Sequence, residues 1–223
     1  METILSNLKI QVNEKIYVKD PETSVLGKKI VEQSILLIDA IGFDNFTFKK
    51  LGEKIGSNES SIYRYFENKH KLLVYLSSWY WSWMEYKLVF STTNIVDKKE
   101  RLNKAITIVT EKITDDTATE HINEAILNKI IIAEFTKTLH TKEVDNENKE
   151  GFFLIYKRVI NRIVSIVKEV NPEYPFPKSL VSTIVEGSLH QHFLTDHLKT
   201  ITDCNETVTT TQFYLNLAEN VLR

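Results

Sequence analysis

The sequence predicts an all-α protein, with a head of three short helices near the N-terminus and a longer helical stretch after it. Three observations carry that prediction. Glycine and proline are scarce, 6 and 4 in 223 residues, too few for the many tight turns of a sandwich or barrel. Beyond residue 24, apolar residues recur at helical spacing through nearly the whole chain. Thr47, Asn58, Asn68 and Asp97 stand where successive helices need N-caps.

The first 24 residues break the helical pattern. Ile10, Val12, Ile16 and Val18 alternate with polar residues around Asn13-Glu14, the period of a short β-hairpin or extended strand, and Asp20-Pro21 ends it. Residues 28–41 then carry Ile30, Val31, Ile35, Leu37, Ile38 and Ile41 as one stripe, stopped by Gly42, with Phe43 placed to pack back on the last turn. A short helix capped by Thr47 buries Phe48, Leu51 and Ile55 and ends at Gly56. Asn58 caps a third, carrying Ile62 and Phe66, and Asn68 caps a fourth, from 69 to about 89.

Further helices are expected from Asp97 to about 114, at 118–139, 150–170, 178–201 and 206–222, with a polar loop at 141–149 and a stiff break at Asn171-Pro172 and Pro175-Phe176-Pro177. The expected division is an arm at 1–26, the head at 27–73 and the body at 74–223.

Composition excludes several classes of function. A single cysteine, Cys204, cannot form an internal disulfide and points to a reducing compartment. Residues 1–10 lack the basic and apolar regions of a secretory signal, and no run approaches the roughly 18 apolar residues of a membrane span, so a cytoplasmic protein with no membrane contact is expected. There is no P-loop, no G-x-G-x-x-G and no Cys-x-x-Cys, so nothing positive supports an enzyme or a cofactor. The net charge is −2, but residues 26–75 hold eight Lys/Arg against six Asp/Glu, a weakly basic head on an acidic chain.

The informative stretch is 28–73. Three short helices with only a few residues between the second and third have helix-turn-helix spacing, which lays the third helix in a major groove. That helix opens Ser57-Asn58-Glu59-Ser60-Ser61, small and polar, suited to close approach to bases. It continues Ile62-Tyr63-Arg64-Tyr65-Phe66, an apolar anchor among hydroxyl and guanidinium donors suited to phosphates. Tyr63 and Tyr65 point to different faces, so both cannot be deep core, and Phe66 is the better core candidate.

The run Ile41-Gly42-Phe43, Thr47-Phe48-Lys49-Lys50-Leu51-Gly52, Ile55-Gly56, Ser61-Ile62-Tyr63-Arg64-Tyr65-Phe66-Glu67-Asn68-Lys69 and Leu72-Leu73 resembles the DNA-binding head of the tetracycline-repressor (TetR) family. The resemblance covers about a fifth of the chain, and the body fits the family only in the number and length of its helices. It implies a homodimeric regulator on an inverted-repeat operator in double-stranded DNA. A small-molecule effector would bind the body, and helices 178–201 and 206–222 would form the dimer bundle.

By matching position, Thr47, Tyr63 and Lys69 are the implied phosphate contacts, and Asn58, Glu59, Ser60 and Ser61 lie where family members read bases. Three residues depart from the family pattern. Gly52 replaces a packed alanine, at about 1 kcal/mol of helix propensity. Ser57 replaces an apolar valine. Glu59 puts a carboxylate beside the DNA, where it either accepts from cytosine N4 or repels phosphate.

In the body, Tyr75, Trp79, Trp83 and Tyr86 form one stripe at helical spacing, with Tyr80 and Trp81 turned away from it. They read as core, as the wall of an apolar ligand pocket, or as both. His190, His192 and His197 share a helix with Glu186 and Asp196, but their spacing converges on no metal, so no metal site is expected and His190 is a polar pocket or dimer candidate. Gly187-Ser188 would let two helices approach closely, as a dimer seam requires.

The expected function is a ligand-responsive repressor. The alternative is a helical small-molecule sensor or enzyme that keeps the head only as scaffold.

Overall fold

The computed structural model describes residues 10–113 and 119–223. Ten α-helices are present among them, with no strand: α1 (Val25–Ile41), α2 (Phe48–Ile55), α3 (Glu59–Tyr63), α4 (Lys69–Thr92), α5 (Lys98–Thr110), α6 (Glu124–Leu139), α7 (Val144–Lys149), α8 (Leu154–Val170), α9 (Pro177–His197) and α10 (Thr210–Val221). The described chain forms two compact units, Met1–Ser82 with Ile113–Leu154, and Trp83–Lys112 with Ile155–Arg223. The stretch of 1–10 read for a signal lies almost entirely outside the described residues, as do positions 114 and 118.

The hairpin or strand expected before Pro21 does not form. Asn13 and Asp20 instead cap two single 3-10 turns, Glu14–Ile16 and Pro21–Thr23, their side chains accepting from Lys15 N and Glu22 N. These short local bonds compete successfully with an extended ladder. The alternation therefore has no common face: Val12 and Ile16 are buried while Val18 is exposed.

From residue 13 onward the arm is nonetheless packed in order. Val18 N donates to Tyr65 O at 2.8 Å, Ser24 Oγ and Tyr65 OH are hydrogen-bonded at 2.8 Å, and Asn13 Nδ2 donates to Glu150 O at 2.9 Å. The backbone of Pro21 sits where a side chain on Gly27 of α1 would be, so only glycine admits the arm there.

In the first unit, the apolar stripe of α1 buries Ile30, Val31, Ile35 and Ile38 against α2 and α6. Gly42 ends α1 at φ 75°, its N–H returning to Ile38 O, and Phe43 is buried beside it as expected. The stretch 141–149 is not all loop. It holds α7, whose Glu147 is buried and takes His70 Nε2 at 2.9 Å and Lys71 Nζ at 3.6 Å. An ion pair, not an apolar stripe, docks this helix. Helix α6 starts at Glu124 on the Asn123 cap, after a turn at 119–121.

In the second unit, α5 packs on α9 and α10. Thr209 and Gln212 form a reciprocal capping box at the start of α10. The expected 178–201 helix ends at His197, and Lys199–Ile201 is a separate 3-10 turn. Gly187 provides close approach within the chain: the Tyr214 hydroxyl of α10 fills the space of its missing side chain. Ser188 is buried, donating to Val109 O at 3.2 Å and Val185 O at 2.8 Å.

Candidate nucleic-acid interface

The site is the α2–turn–α3 unit. Thr47 is exposed and caps α2, its Oγ1 accepting from Lys50 N at 3.2 Å, so its own hydroxyl proton is available to a ligand. Phe48, Leu51 and Ile55 are buried, which fixes the helix on α1. Gly56 takes the left-handed conformation, φ 69°, that turns the chain into α3. Ser57 N then donates to Gly52 O at 2.9 Å, and a Cβ on Gly52 would lie 2.8 Å from Ser57 O and 3.3 Å from Glu59 N. The turn closes directly on Gly52, which accounts physically for a glycine at this helical position.

Asn58 caps α3, its Oδ1 accepting from Ser60 N at 2.8 Å and from the Ser60 hydroxyl. Ile62 and Phe66 are fully buried, Tyr65 nearly so, and Tyr63 is 48% exposed. Helical rotation thus separates the two tyrosines: Tyr65 anchors the arm and Tyr63 faces outward. The Tyr63 ring meets Phe48 edge-on at 5.0 Å, and its hydroxyl donates to Glu59 Oε1 at 3.3 Å. Desolvation, then the Glu59 charge and hydrogen bond, raise the Tyr63 phenol above its ordinary value, so it stays a proton donor.

Lys69 opens α4 and points back at the turn before α2. Its Nζ donates to Phe43 O at 3.1 Å, Asp44 O at 3.2 Å and Phe46 O at 3.3 Å, and lies 4.8 Å from the Phe43 ring centre. Thr47, Tyr63 and Lys69 are therefore assembled around one segment, 43–48. The carbonyl bonds of Lys69 were not legible in the sequence. The signal for them was a lysine in a first helical turn, where the helix dipole disfavours it unless local acceptors compensate.

The body candidates separate. Tyr75 and Trp79 are buried in the first unit, where Tyr75 OH donates to Glu22 Oε1 at 3.2 Å. His121 Nε2 meets the same oxygen at 2.9 Å, and these partners outweigh burial to hold the Glu22 carboxyl below its ordinary value. In the second unit Trp83 is buried under the Lys87 ammonium, Tyr86 is 38% exposed and His190 is exposed. Tyr80 and Trp81, turned from the stripe, are buried as well, so α4 is enclosed nearly all round from Leu72 to Glu85.

His192 Nε2 donates to Thr110 O at 3.0 Å, and Glu186 accepts from Tyr156 OH at 2.5 Å. No group of three His, Cys, Asp or Glu among the described residues is placed to hold a metal ion. Glu85, buried in α4, is clasped by Arg158 Nη2 at 2.5 Å and Arg162 Nε at 2.6 Å, a cluster that sequence reading missed. A lone glutamate inside an aromatic helix, with arginines four apart on a later one, was its only trace.

Residues 30–76 match the sequence model described as bacterial regulatory proteins, tetR family. The head, and not the rest of the chain, is thus similar to the tetR family in sequence. The match spans the α1–α2–α3 geometry and the start of α4 that carries Lys69.

Solved structures share the fold over 86–92% of the chain. One described as a bacterial regulatory protein in the tetR family from Rhodococcus RHA1 has 12% identity and a TM-score of 0.58, covering 90% of this chain and 96% of its own. AibR, solved with isovaleryl coenzyme A and operator DNA, has 14% identity and a TM-score of 0.53, covering 86% and 95%. A structure titled superantigen PfiT has 17% identity and a TM-score of 0.57, covering 92% and 96%. No curated protein matches the sequence. Around the tetR-family head the body is all-helical, and no helix among the described residues is long and apolar enough to cross a membrane.

Proposed function

We propose that the protein is a sequence-specific DNA-binding transcriptional regulator, a homodimeric repressor released from an inverted-repeat operator by a small-molecule effector. The observation that carries this reading is the α2–turn–α3 unit, with Thr47, Tyr63 and Lys69 gathered on one segment and the polar residues Asn58 to Ser61 displayed beside them. Thr47 and Lys69 contact phosphates and residues 58–61 meet base edges, while Tyr63, a phosphate contact by family position, has its hydroxyl turned to Glu59. An operator places this work in the cytoplasm.

Dimerisation through 178–201 and 206–222 is supported by the exposed Leu198, Ile201, Val208, Phe213 and Val221, apolar surface that a partner copy would cover. Two heads would then sit in successive major grooves about 34 Å apart. AibR, solved with a coenzyme A thioester and operator DNA, supports an effector acting on the helical body. The effector shifts the heads only by its differential affinity for the two states. Helix α4 contributes to both units and is proposed to carry the coupling; a disulfide locking it to the body should abolish the ligand response.

The alternative, a helical sensor or enzyme with the head as scaffold, draws on the superantigen that shares this fold. Selection of bound sequences from random duplex DNA separates the two. An inverted repeat supports the regulator, and no enrichment by folded, dimeric, ligand-free protein supports the scaffold.

A further inference from the structure

We infer that Glu59 selects a cytosine in each operator half-site, and that Tyr63 is the positioning residue that holds its carboxylate for this contact. The inference rests on the DNA-binding reading above.

Glu59 and Tyr63 are four apart and share one face of α3. The phenol ring packs edge-on against buried Phe48, and its hydroxyl donates to Glu59 Oε1 at 3.3 Å. The neighbouring side chains are differently engaged. Asn58 Oδ1 already accepts from Ser60 N and from the Ser60 hydroxyl, so Ser60 has given its proton away. Glu59 Oε2 is therefore the charged acceptor that this surface presents.

A carboxylate requires a donor on the base edge, and the major groove offers two, cytosine N4 and adenine N6. Adenine N6 lies between its own N7 and the O4 of the paired thymine, and both lone pairs repel a carboxylate. Cytosine N4 has the paired guanine O6 on one side but the non-repelling C5–H on the other, so it has one repelling neighbour to adenine's two, and guanine and thymine present no donor there. Cytosine is the base that fits.

Tyr63 has one hydroxyl proton. Donated to Glu59, it draws the carboxylate charge toward the phenol and keeps it aimed. Donated to a phosphate, it would release Glu59. The first arrangement makes Tyr63 matter to sequence preference at one base pair, and the second makes it matter equally to every sequence.

The test is selection from random duplexes with the full-length protein, its Glu59→Gln and Tyr63→Phe variants, and Glu59→Asp as a charge-conserving control, each checked for retained helicity. The wild type is expected to prefer cytosine at one position per half-site by about tenfold or more. Glu59→Gln should lose that preference, moving toward adenine, whose N6 and N7 suit an amide. Tyr63→Phe should weaken the preference at the same position and leave the rest of the motif intact. Glu59→Asp should keep cytosine at lower discrimination.

An unchanged cytosine preference in Glu59→Gln overturns the inference. So does a uniform loss of affinity in Tyr63→Phe with the preference intact, since that marks a phosphate contact. A motif selected by the wild type without cytosine overturns the inference and leaves the DNA-binding reading standing, whereas no motif overturns both.

Discussion

The carbonyl oxygen of Ser57 lies 2.8 Å from where a Cβ on Gly52 would stand. The backbone of the α2–α3 turn thus occupies the space of an alanine methyl, and the angle between the two helices depends on its absence. Gly52→Ala gains about 1 kcal/mol of helix propensity. Displacing rigid backbone should cost more, roughly 1–3 kcal/mol as for overpacked cores. The expected result is a lowered urea midpoint, with DNA affinity reduced beyond what the stability change explains.

Lys69→Ala should be measured twice. In free protein it removes a donor shared by three carbonyls at 3.1–3.3 Å, and unfolding should show a loss of about 1 kcal/mol. On DNA it should weaken binding to all sequences alike and lower the salt slope by about 1. Loss of stability with an unchanged salt slope would make Lys69 a brace for the 43–46 turn and not a phosphate contact.

Glu85→Gln leaves Arg158 and Arg162 without the carboxylate they share. Both guanidiniums are half-exposed and recover water, so the expected loss is about 1–3 kcal/mol, below that of a fully buried pair. Thermal unfolding of Glu85→Gln, of Arg158→Leu and of the double variant checks it, and the two effects should be non-additive.

Acid should destabilise the fold in two stages. Burial lowers the His192 pKa below its ordinary 6.5, so the unfolded chain binds that proton more readily, and stability falls as pH drops through and below 6.5. Burial alone would raise Glu22 and Glu85, but hydrogen bonds and charge from His121 and from Arg158 and Arg162 hold both below 4.5. Their contribution is present above pH 4.5 and disappears as pH falls further. Urea midpoints should decline from about pH 6.5 and more steeply below about 4.5; His192→Gln should remove the first stage only.

Much of the head was legible because its determinants are local. Thr47, Asn58 and Asp97 cap helices that begin one residue later, and Gly42 and Gly56 end theirs at positive φ. The arm was misread for a local reason too: Asn13 and Asp20 bond their own backbone, which a period-two pattern does not reveal. Helix α7 was missed because Glu147 docks it through His70 and Lys71, 77 and 76 residues away in sequence. The Glu85 cluster joins residues 73 or more apart. Within the site, the residue types at 47, 63 and 69 were readable, but the direction of each hydrogen bond came from the fold.

Gripping DNA through its phosphates is the proposed work of the α2–turn–α3 unit. The most direct measurement is affinity for a selected duplex across about 50 to 200 mM salt. A linear fall in log affinity with log salt, of several units of slope and shallower by about 1 in Lys69→Ala, is the result the proposed function predicts. Affinity that stays flat across that range, or a failure to bind any duplex by folded, ligand-free dimer, would contradict it.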